Sequence, residues 1–294
     1  MQFPQDFTAR ERALLGSRFD EVYAYATLSP ARGVTVNGLR CTPQQFAQNV
    51  DFDAVPSVFC PTAFTVAPEL RPGRHPWHHA GVFYAQEPSA AAPAALLDVQ
   101  PGMRVADLCA APGGKTSQLA AALQGQGLLL ANEFVAARAE ILRQNLERMG
   151  VTNAVITNED TARLAAAMPG QFDRVLVDAP CSGEGMFRKE EAAVTDWSEE
   201  TVEMCARRQQ EILHSAAQML RGGGRLVYST CTFSPQENEG AVSAFLHAHP
   251  DFYVEEVSAP WFAPGRPDWV EDPAPGLEHT FRLWPHDLRG EGHY

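Results

Sequence analysis

The sequence predicts an α/β fold in which a mostly parallel sheet follows a small N-terminal α/β domain. From about residue 101, short apolar runs alternate with helical segments, an order that builds right-handed βαβ units. The 294 residues, of which 45% are hydrophobic, suffice for one large core and a smaller one. A stretch rich in Pro, Gly and His over 68–79 indicates a linker. We therefore expect an N-terminal domain over 1–80 and a larger domain over 81–294.

The first 80 residues alternate between helical and strand patterns. Apolar residues within 5–27 recur at intervals of three and four, which predicts a helix with one buried face. Residues 33–37 are predicted to form a short strand. A helix is expected to begin at Thr42-Pro43, because threonine can cap a helix and proline suits its first position. Residues 56–66 are predicted to form a strand or a hairpin.

The larger domain is predicted to alternate strand and helix. Its predicted strands cover 103–108, 127–132, 154–157, 174–177 and 225–229, and its predicted helices cover 115–124, 135–149 and 199–221. Two further strand-like segments lie at 252–257 and 280–284. Parallel sheets of this kind bind ligands at the carboxyl ends of their strands, so the residues that follow each strand are the functional candidates.

The charge balance limits the kind of partner that the chain can bind. There are 36 acidic and 23 basic side chains, which give a formal net charge of −13, and most of the excess lies in residues 231–294. This balance excludes a protein that holds nucleic acid through bulk positive charge. The basic side chains are almost all arginines, and the two lysines are Lys115 and Lys189.

Cysteine spacing and hydropathy indicate the compartment. The six cysteines include no Cys-x-x-Cys pair and no zinc-finger spacing, so we expect neither a disulfide framework nor a bound metal. The N-terminus lacks the features of a secretory signal, and no apolar run approaches the ~18 residues of a membrane span. We expect a cytoplasmic protein without a membrane partner.

A glycine-rich turn follows the first strand of the larger domain, in the run Asp107-Leu-Cys-Ala-Ala-Pro-Gly-Gly-Lys115-Thr-Ser. A phosphate-binding P-loop requires a glycine where Cys109 stands, and the dinucleotide fingerprint is absent. Asp107 would repel a pyrophosphate but suits a positively charged cofactor without phosphates. The turn therefore favours S-adenosylmethionine.

Acidic residues also follow the second and third strands of the larger domain. Glu133 is placed to accept hydrogen bonds from both ribose hydroxyls, and Asp160 from an adenine amino group. A single acid after a strand is more often a helix cap or a solvated charge. Three successive acidic strand ends, the first beside a glycine-rich turn, favour a cofactor site instead.

A cysteine lies just past each of the next two strand ends, in Asp178-Ala-Pro-Cys181-Ser-Gly and Ser229-Thr-Cys231-Thr-Phe-Ser. Carbon 5 of cytosine accepts a methyl group once a thiolate has added to carbon 6, which is covalent catalysis suited to cysteine. A carboxylic acid hydrogen-bonded at ring N3 promotes that addition, and Asp178 is placed for it. The residues alone leave open which cysteine is the nucleophile. Enzymes that methylate exocyclic amines need no thiol, so the pattern favours carbon over nitrogen.

Together these motifs resemble the Sun/Fmu (NOL/NOP/Sun) family of RNA cytosine-C5 methyltransferases. The run His78-His79-Ala-Gly-Val-Phe-Tyr84-Ala-Gln86-Glu87-Pro-Ser89 and the run Phe281-Arg-Leu-Trp-Pro-His286 are similar to the bacterial branch that acts on 16S ribosomal RNA. The resemblance implies a class I methyltransferase fold with a seven-stranded, mostly parallel sheet, and the sequence leaves open whether the last strand is complete. It implies that RNA, and 16S ribosomal RNA in particular, is the partner.

The resemblance also implies roles for individual residues. Cys231 is the implied nucleophile and Cys181 assists product release. The implied cofactor contacts are Cys109, Ala110, Ala111, Pro112, Gly113, Gly114, Lys115, Glu133, Asp160 and Asp178. As a hypothesis of our own, Lys115 also orients Asp178 near the base.

The resemblance leaves alternatives for substrate and role. The branch carries a C-terminal RNA-binding domain that this sequence lacks, so we expect either a shortened chain or RNA capture by other elements. The alternatives are action on another RNA such as tRNA, methylation of a protein or small molecule, and a catalytically silent RNA-binding factor in ribosome assembly.

Overall fold

A computed structural model describes residues 3–288 and 290–294. Its helices in chain order are α1 (Gln5–Leu15), α2 (Phe19–Tyr23), α3 (Pro43–Asn49), α4 (Pro76–His79), α5 (Ala92–Leu96), α6 (Gly114–Leu123), α7 (Ala136–Met149), α8 (Thr161–Ala167), α9 (Glu191–Thr195), α10 (Glu199–Met219), α11 (Glu239–Ala248) and α12 (Pro285–Leu288). Its strands are β1 (Arg32–Val36), β2 (Ala54–Pro56), β3 (Ala63–Val66), β4 (Phe83–Ala85), β5 (Arg104–Asp107), β6 (Leu128–Asn132), β7 (Ala154–Thr157), β8 (Phe172–Asp178), β9 (Leu220–Ser229), β10 (Ala263–Pro264) and β11 (Phe281–Arg282).

These elements group into two compact units. The cysteine unit consists of Met1–Pro30, Ala179–His214 and Ser229–Tyr294, and the sheet unit consists of Ala31–Asp178 and Ser215–Tyr228. Each unit combines segments that are far apart in the sequence. The boundary predicted at residue 80 divides the sequence at a single point and stays a prediction.

The larger sheet has the strand order β7-β6-β5-β8-β9, and its pairs β5·β6, β5·β8 and β6·β7 are parallel. Asp107, the last residue of β5, is level with Ala131 of β6 and Leu176 of β8. The carboxyl ends of these strands therefore meet at one edge. A core that includes Val105, Leu119 and Leu129 packs α6 against the sheet. The predicted mostly parallel α/β architecture is confirmed.

The smaller sheet, also in the sheet unit, has the order β2-β3-β1-β4 with antiparallel pairs. Its β2 and β3 form the hairpin predicted near 56–66. Thr42 caps α3 by accepting from Gln45 N, and the Gln45 side chain accepts in turn from Thr42 N. This reciprocal capping explains why α3 begins where the sequence predicts it.

The larger sheet has five strands among the described residues, whereas the resemblance implied seven. Residues 252–257 have no regular structure, and Tyr253 is 82% exposed. A strand covered on both faces would have to bury Glu255 and Glu256, which is costly without partners. The segment 280–284 instead pairs β11 with β10, and Leu283 bridges to His293.

The cysteine unit is held by an aromatic core. Phe7 of α1 is fully buried and packs edge to face with Tyr23, Phe187 and Trp197. Edge-to-face packing suits the charge distribution of aromatic rings and adds about 1 kcal/mol per pair to the burial itself. The N-terminal helix is thereby fixed to segments from the second half of the chain.

No helix among the described residues is long and apolar enough to cross a membrane.

Candidate functional site: an acidic cleft and a pair of cysteines

The glycine-rich turn after β5 is shaped by its own backbone and by Thr116. Gly113 has φ 111°, a left-handed conformation that a side chain would strain, and a Cβ there would lie 3.2 Å from Leu142 Cδ1. The Thr116 hydroxyl lies 2.8 Å from Asp107 Oδ2 and 3.0 Å from Ala110 O. Thr116 thus joins the strand end to the turn and fixes its course into α6.

Beside this turn lies a cleft of about 200 Å³ in the sheet unit. It is lined by seven of the predicted site residues, namely Cys109, Ala110, Ala111, Pro112, Gly114, Lys115 and Asp178, together with Asp107, Tyr84, Ala85, Gln86 and Ala90. Gly113, Glu133 and Asp160 are not among its lining residues. Most of the predicted cofactor turn therefore faces one cavity.

Asp107 carries an unsatisfied acceptor at this cleft. Its side chain is 1% exposed, Oδ2 accepts from Thr116, and Oδ1 has no hydrogen-bond partner among the described residues. Burial raises the pKa of Asp107 to about 7. A cation bound in the cleft would favour the ionised form of Asp107, whereas a phosphate would oppose its ionisation.

Lys115 and Asp178 form an ion pair at the cleft, with Nζ 2.7 Å from Oδ2. Lys115 lies in the first turn of α6, where the helix dipole disfavours a cation. The pairing with Asp178, at the end of β8, offsets that cost. A lysine in an unfavourable place, paired with a strand-end acid, indicates a functional requirement.

Glu133 and Asp160 follow β6 and β7. Glu133 is buried, its Oε1 accepts from Val135 N at 2.9 Å, and its Oε2 lies 3.4 Å from Arg138 Nη1. Asp160 accepts from Ala162 N at 2.8 Å and so caps α8. Asp160 thus has the helix-cap role that acidic strand ends often have, using one carboxylate oxygen.

Two polar residues that the sequence did not single out hold the strand ends together. The buried Asn132 amide donates to Leu108 O at 3.3 Å and to Glu159 O at 3.0 Å, so it spans the ends of β5, β6 and β7. Arg138 donates to Ala111 O at 2.9 Å and contacts Glu133, which joins the glycine-rich turn to the second strand end. Both could have been predicted from their positions, since Asn132 is the last residue of β6 and Arg138 follows it by six residues.

Tyr84 and Gln86 of the cleft lie in the run over 78–89 that carries the resemblance, but the sequence assigned them no role at the glycine-rich turn. The Tyr84 hydroxyl donates to Pro112 O at 3.2 Å, and Gln86 is held by its amide donating to Ala90 O at 2.8 Å. The residues come from β4 and its end, in the smaller sheet. No chemical pattern in the sequence connects that strand to the turn after β5.

The two predicted cysteines lie together in the cysteine unit. Cys181 Sγ is 3.3 Å from Cys231 Sγ, close enough for one S–H to point at the other sulfur. The neighbouring Cys231 sulfur and burial raise the pKa of Cys181 well above its ordinary value. Two adjacent thiols do not both ionise, so one proton remains between them. The pair can therefore present one thiolate beside one thiol.

Comparison with known proteins connects this arrangement to a family. The family model for 16S rRNA methyltransferase RsmB/F matches residues 94–294, and that for the N-terminal domain of 16S rRNA methyltransferase RsmF matches residues 3–88. Ribosomal RNA small subunit methyltransferase F of Vibrio vulnificus strain YJ016 is 36% identical over 288 residues, which are 95% of this chain and 60% of that protein. The protein of the same name from Escherichia coli O139:H28 is 38% identical over 260 residues, which are 85% of this chain and 54% of that protein. The chain thus spans less than two thirds of these relatives.

Solved structures share the fold along nearly the whole chain. A methyltransferase homolog protein from Pyrococcus horikoshii superposes with a TM-score of 0.85 at 27% identity, covering 99% of this chain and 93% of that one. NSun6 from Pyrococcus horikoshii, solved with SFG, gives a TM-score of 0.84 at 20% identity over 99% of this chain and 96% of that one. The resemblance seen in the motifs is confirmed. Because the first family model matches well over half of the chain, this chain belongs to the 16S rRNA methyltransferase RsmB/F family.

Proposed function

We propose that this chain transfers a methyl group from S-adenosylmethionine to carbon 5 of a cytidine in 16S ribosomal RNA, through a covalent bond between cysteine and carbon 6. The observation that carries the proposal is the 3.3 Å contact between Cys181 and Cys231 sulfurs. A carbon-5 transfer needs a nucleophile that is later expelled, and a thiolate with a neighbouring thiol meets both needs. Methylation of an exocyclic amine would not require either thiol, because the amine nitrogen attacks the methyl group directly.

The cleft of the sheet unit fits the cofactor by charge. S-adenosylmethionine supplies an electrophilic methyl group on a sulfonium, carries a cationic amine and has no phosphate. Asp107 lines the cleft with an acidic side chain, and residues 109–112 and 114 of the glycine-rich turn line it as well. We assign Glu133 to the ribose hydroxyls and Asp160 to the adenine amino group. Lys115 and Asp178, which also line the cleft, are the remaining residues that we assign to cofactor binding.

Cys231 is assigned as the nucleophile. Its thiolate adds to carbon 6, and the π electrons move to carbon 5. Carbon 5 then bonds to the methyl group as the bond between the methyl group and sulfur breaks, which releases S-adenosylhomocysteine. Loss of the carbon-5 proton restores the double bond and expels Cys231. The short distance between the sulfurs supports the complementary role, because a thiol at Cys181, 3.3 Å away, stabilises a thiolate at Cys231 by hydrogen bonding.

Asp178 is assigned to ring N3 of the cytosine. Addition of the thiolate makes N3 more basic, and a carboxyl group hydrogen-bonded there stabilises the adduct. Lys115 donates to Asp178 at 2.7 Å and so fixes the direction of that carboxyl. Lys115 therefore acts on the base through Asp178.

The RNA is recognised by shape rather than by bulk charge. The net charge of −13 gives no general attraction to phosphate, so affinity has to come from specific contacts. The target cytidine must be unpaired or flipped out of its helix, at a cost of about a few kcal/mol. We propose that residues 1–80 contribute to holding the RNA.

Bisulfite sequencing of ribosomal RNA tests the proposal. A deletion strain is complemented with the full-length gene carrying wild-type, Cys231→Ala or Cys41→Ala sequence, Cys41 being a half-buried thiol of the sheet unit. We expect one or more 16S cytidines to lose their protection in the deletion strain and in Cys231→Ala, and to regain it with wild type and Cys41→Ala. If only tRNA cytidines lost their bisulfite protection in the deletion strain, the substrate would be tRNA and not 16S ribosomal RNA. The same protection pattern in every strain would contradict methyl transfer to RNA.

A further inference from the structure

Two adjacent residues just before α11, Glu237 and Asn238, hold the residues on both sides of the two cysteines. Both side chains are fully buried. Burying a carboxyl group and an amide is costly unless they are hydrogen-bonded. All the contacts that follow lie within the cysteine unit.

Glu237 holds the backbone around Cys181. Its Oε2 accepts from Ser182 N at 2.9 Å and from Gln209 Nε2 at 2.9 Å, and its Oε1 accepts from the Ser182 hydroxyl. The same Gln209 amide donates to Pro180 O at 2.9 Å. The residues before and after Cys181 are therefore both fixed, one by Glu237 directly and the other through Gln209.

Asn238 contacts both neighbours of Cys231, the side chain of the residue before it and the backbone of the residue after it. Its Oδ1 accepts from the Thr230 hydroxyl at 2.6 Å, and its Nδ2 donates to Thr232 O at 3.0 Å. Thr230 precedes Cys231 and Thr232 follows it, and both are buried. Because one amide spans both neighbours, the direction of the Cys231 side chain is restricted.

A hydroxyl contact links the two halves. Ser182 Oγ lies 2.8 Å from Thr232 Oγ1, so the residue after Cys181 contacts the residue after Cys231. A continuous network from Glu237 through Ser182 to Thr232 thus runs beside the sulfur pair. The helix α11, which follows Glu237 and Asn238 directly, is anchored in turn by the buried ion pair of its first residue, Glu239, with Arg282.

We propose that Glu237 and Asn238 are positioning residues, with Glu237 setting the place of the Cys181 sulfur and Asn238 that of the Cys231 sulfur. The inference rests on the proposed function for its kinetic consequences, although the geometry can be tested without it. If Cys231 attacks and Cys181 assists release, the two residues govern different steps. Loss of Asn238 slows formation of the covalent adduct, and loss of Glu237 slows its resolution.

The geometric arm measures how fast the two thiols are joined by diamide. Diamide takes up two electrons and two protons from the thiols and becomes a hydrazine, leaving a Cys181–Cys231 disulfide that peptide mapping identifies. We expect Glu237→Ala and Asn238→Ala to slow this reaction by about 10- to 100-fold, since each removes hydrogen bonds that fix one partner. Gln236→Ala, in the same loop and exposed, is the control and should react like wild type.

The kinetic arm follows the covalent adduct with substrate RNA under single-turnover conditions. Asn238→Ala should form the adduct about 10- to 100-fold more slowly, and Glu237→Ala should form it at a near wild-type rate but accumulate it. Glu237→Gln keeps an acceptor for Ser182 N and should restore resolution to within about tenfold. The dissociation constants for RNA and S-adenosylmethionine should stay unchanged.

The outcomes separate the two proposals. Folded Glu237→Ala and Asn238→Ala proteins with wild-type disulfide and adduct rates would overturn the positioning role. Slower disulfide formation in a protein that methylates no RNA would support positioning and overturn the proposed function. If an alanine variant does not fold, Ser182→Ala decides, because it removes the hydroxyl contacts to Glu237 and Thr232 and keeps the backbone N–H of residue 182. A wild-type disulfide rate in that variant would overturn the role.

Discussion

Replacing Lys115 by alanine tests how the cleft orients Asp178. The Nζ to Oδ2 distance is 2.7 Å, and the Lys115 and Asp178 side chains are 12% and 33% exposed. A hydrogen bond between charged groups contributes about 1.5–3 kcal/mol, and screening at the partly exposed Asp178 lowers this to about 1–2 kcal/mol. If Lys115 acts by orienting Asp178, Lys115→Ala should lower turnover by about 5- to 30-fold at saturating cofactor.

The assay is a double-mutant cycle in single-turnover methylation of RNA, using Lys115→Ala, Asp178→Asn and both together. We expect a coupling free energy of about 1–2 kcal/mol, so that Lys115→Ala adds little once Asp178 is replaced. Lys189→Ala replaces the other lysine of the chain and serves as the control, and calorimetry measures cofactor binding separately. Unchanged turnover in Lys115→Ala, or effects that add within about 0.3 kcal/mol, would refute the orienting role.

Three further predictions concern the turn, the cleft and the core. Arg138→Ala should weaken S-adenosylmethionine binding by about 5- to 10-fold in calorimetry, because it removes the hydrogen bond to Ala111 O. Arg143→Ala on the same helix removes only exposed ion pairs and should leave the affinity unchanged. An affinity of Arg138→Ala equal to that of wild type would contradict the role. Burial raises the pKa of Asp107 from 3.8 to about 7, so its protonated form favours folding and its contribution is lost as pH rises from about 4 to 7. Asp107→Asn should therefore flatten the fall in the free energy of unfolding over that range, by at most about 4 kcal/mol in urea titrations without ligand, and an unchanged slope would refute this. Phe7→Ala should cost about 3–5 kcal/mol of stability in the same titrations, and a cost below about 1 kcal/mol would contradict its place in the core.

The sequence indicates the strands and their ends well because the signal is local. A run of four to six apolar residues followed by Gly, Pro or an acid shows both the strand and the point where it stops. Strand register then places Asp107 level with its neighbours without any further information. This local signal predicted four site residues that form two contacts in the structure. Lys115 contacts Asp178, and Cys181 contacts Cys231.

The rest depends on contacts between segments far apart in the chain. Tyr84 reaches the turn after β5 through the pairing of β4 with β1 in a different sheet, and no local pattern encodes that. The hydrogen bond from Ser182 N to Glu237 joins residues 55 positions apart. The strand count was overestimated for a related reason, since residues 252–257 have strand-like composition but expose their acids.

Trapping with 5-fluorocytidine RNA tests the central claim most directly, because fluorine at carbon 5 blocks the proton loss that releases the enzyme. We predict a covalent complex, visible by gel shift under denaturing conditions, that depends on S-adenosylmethionine and is abolished in Cys231→Ala. With ordinary RNA, Cys181→Ala should accumulate the corresponding complex. A trapped complex that survives Cys231→Ala and disappears in Cys181→Ala would exchange the two roles, and methyl transfer in the absence of both cysteines would contradict covalent catalysis.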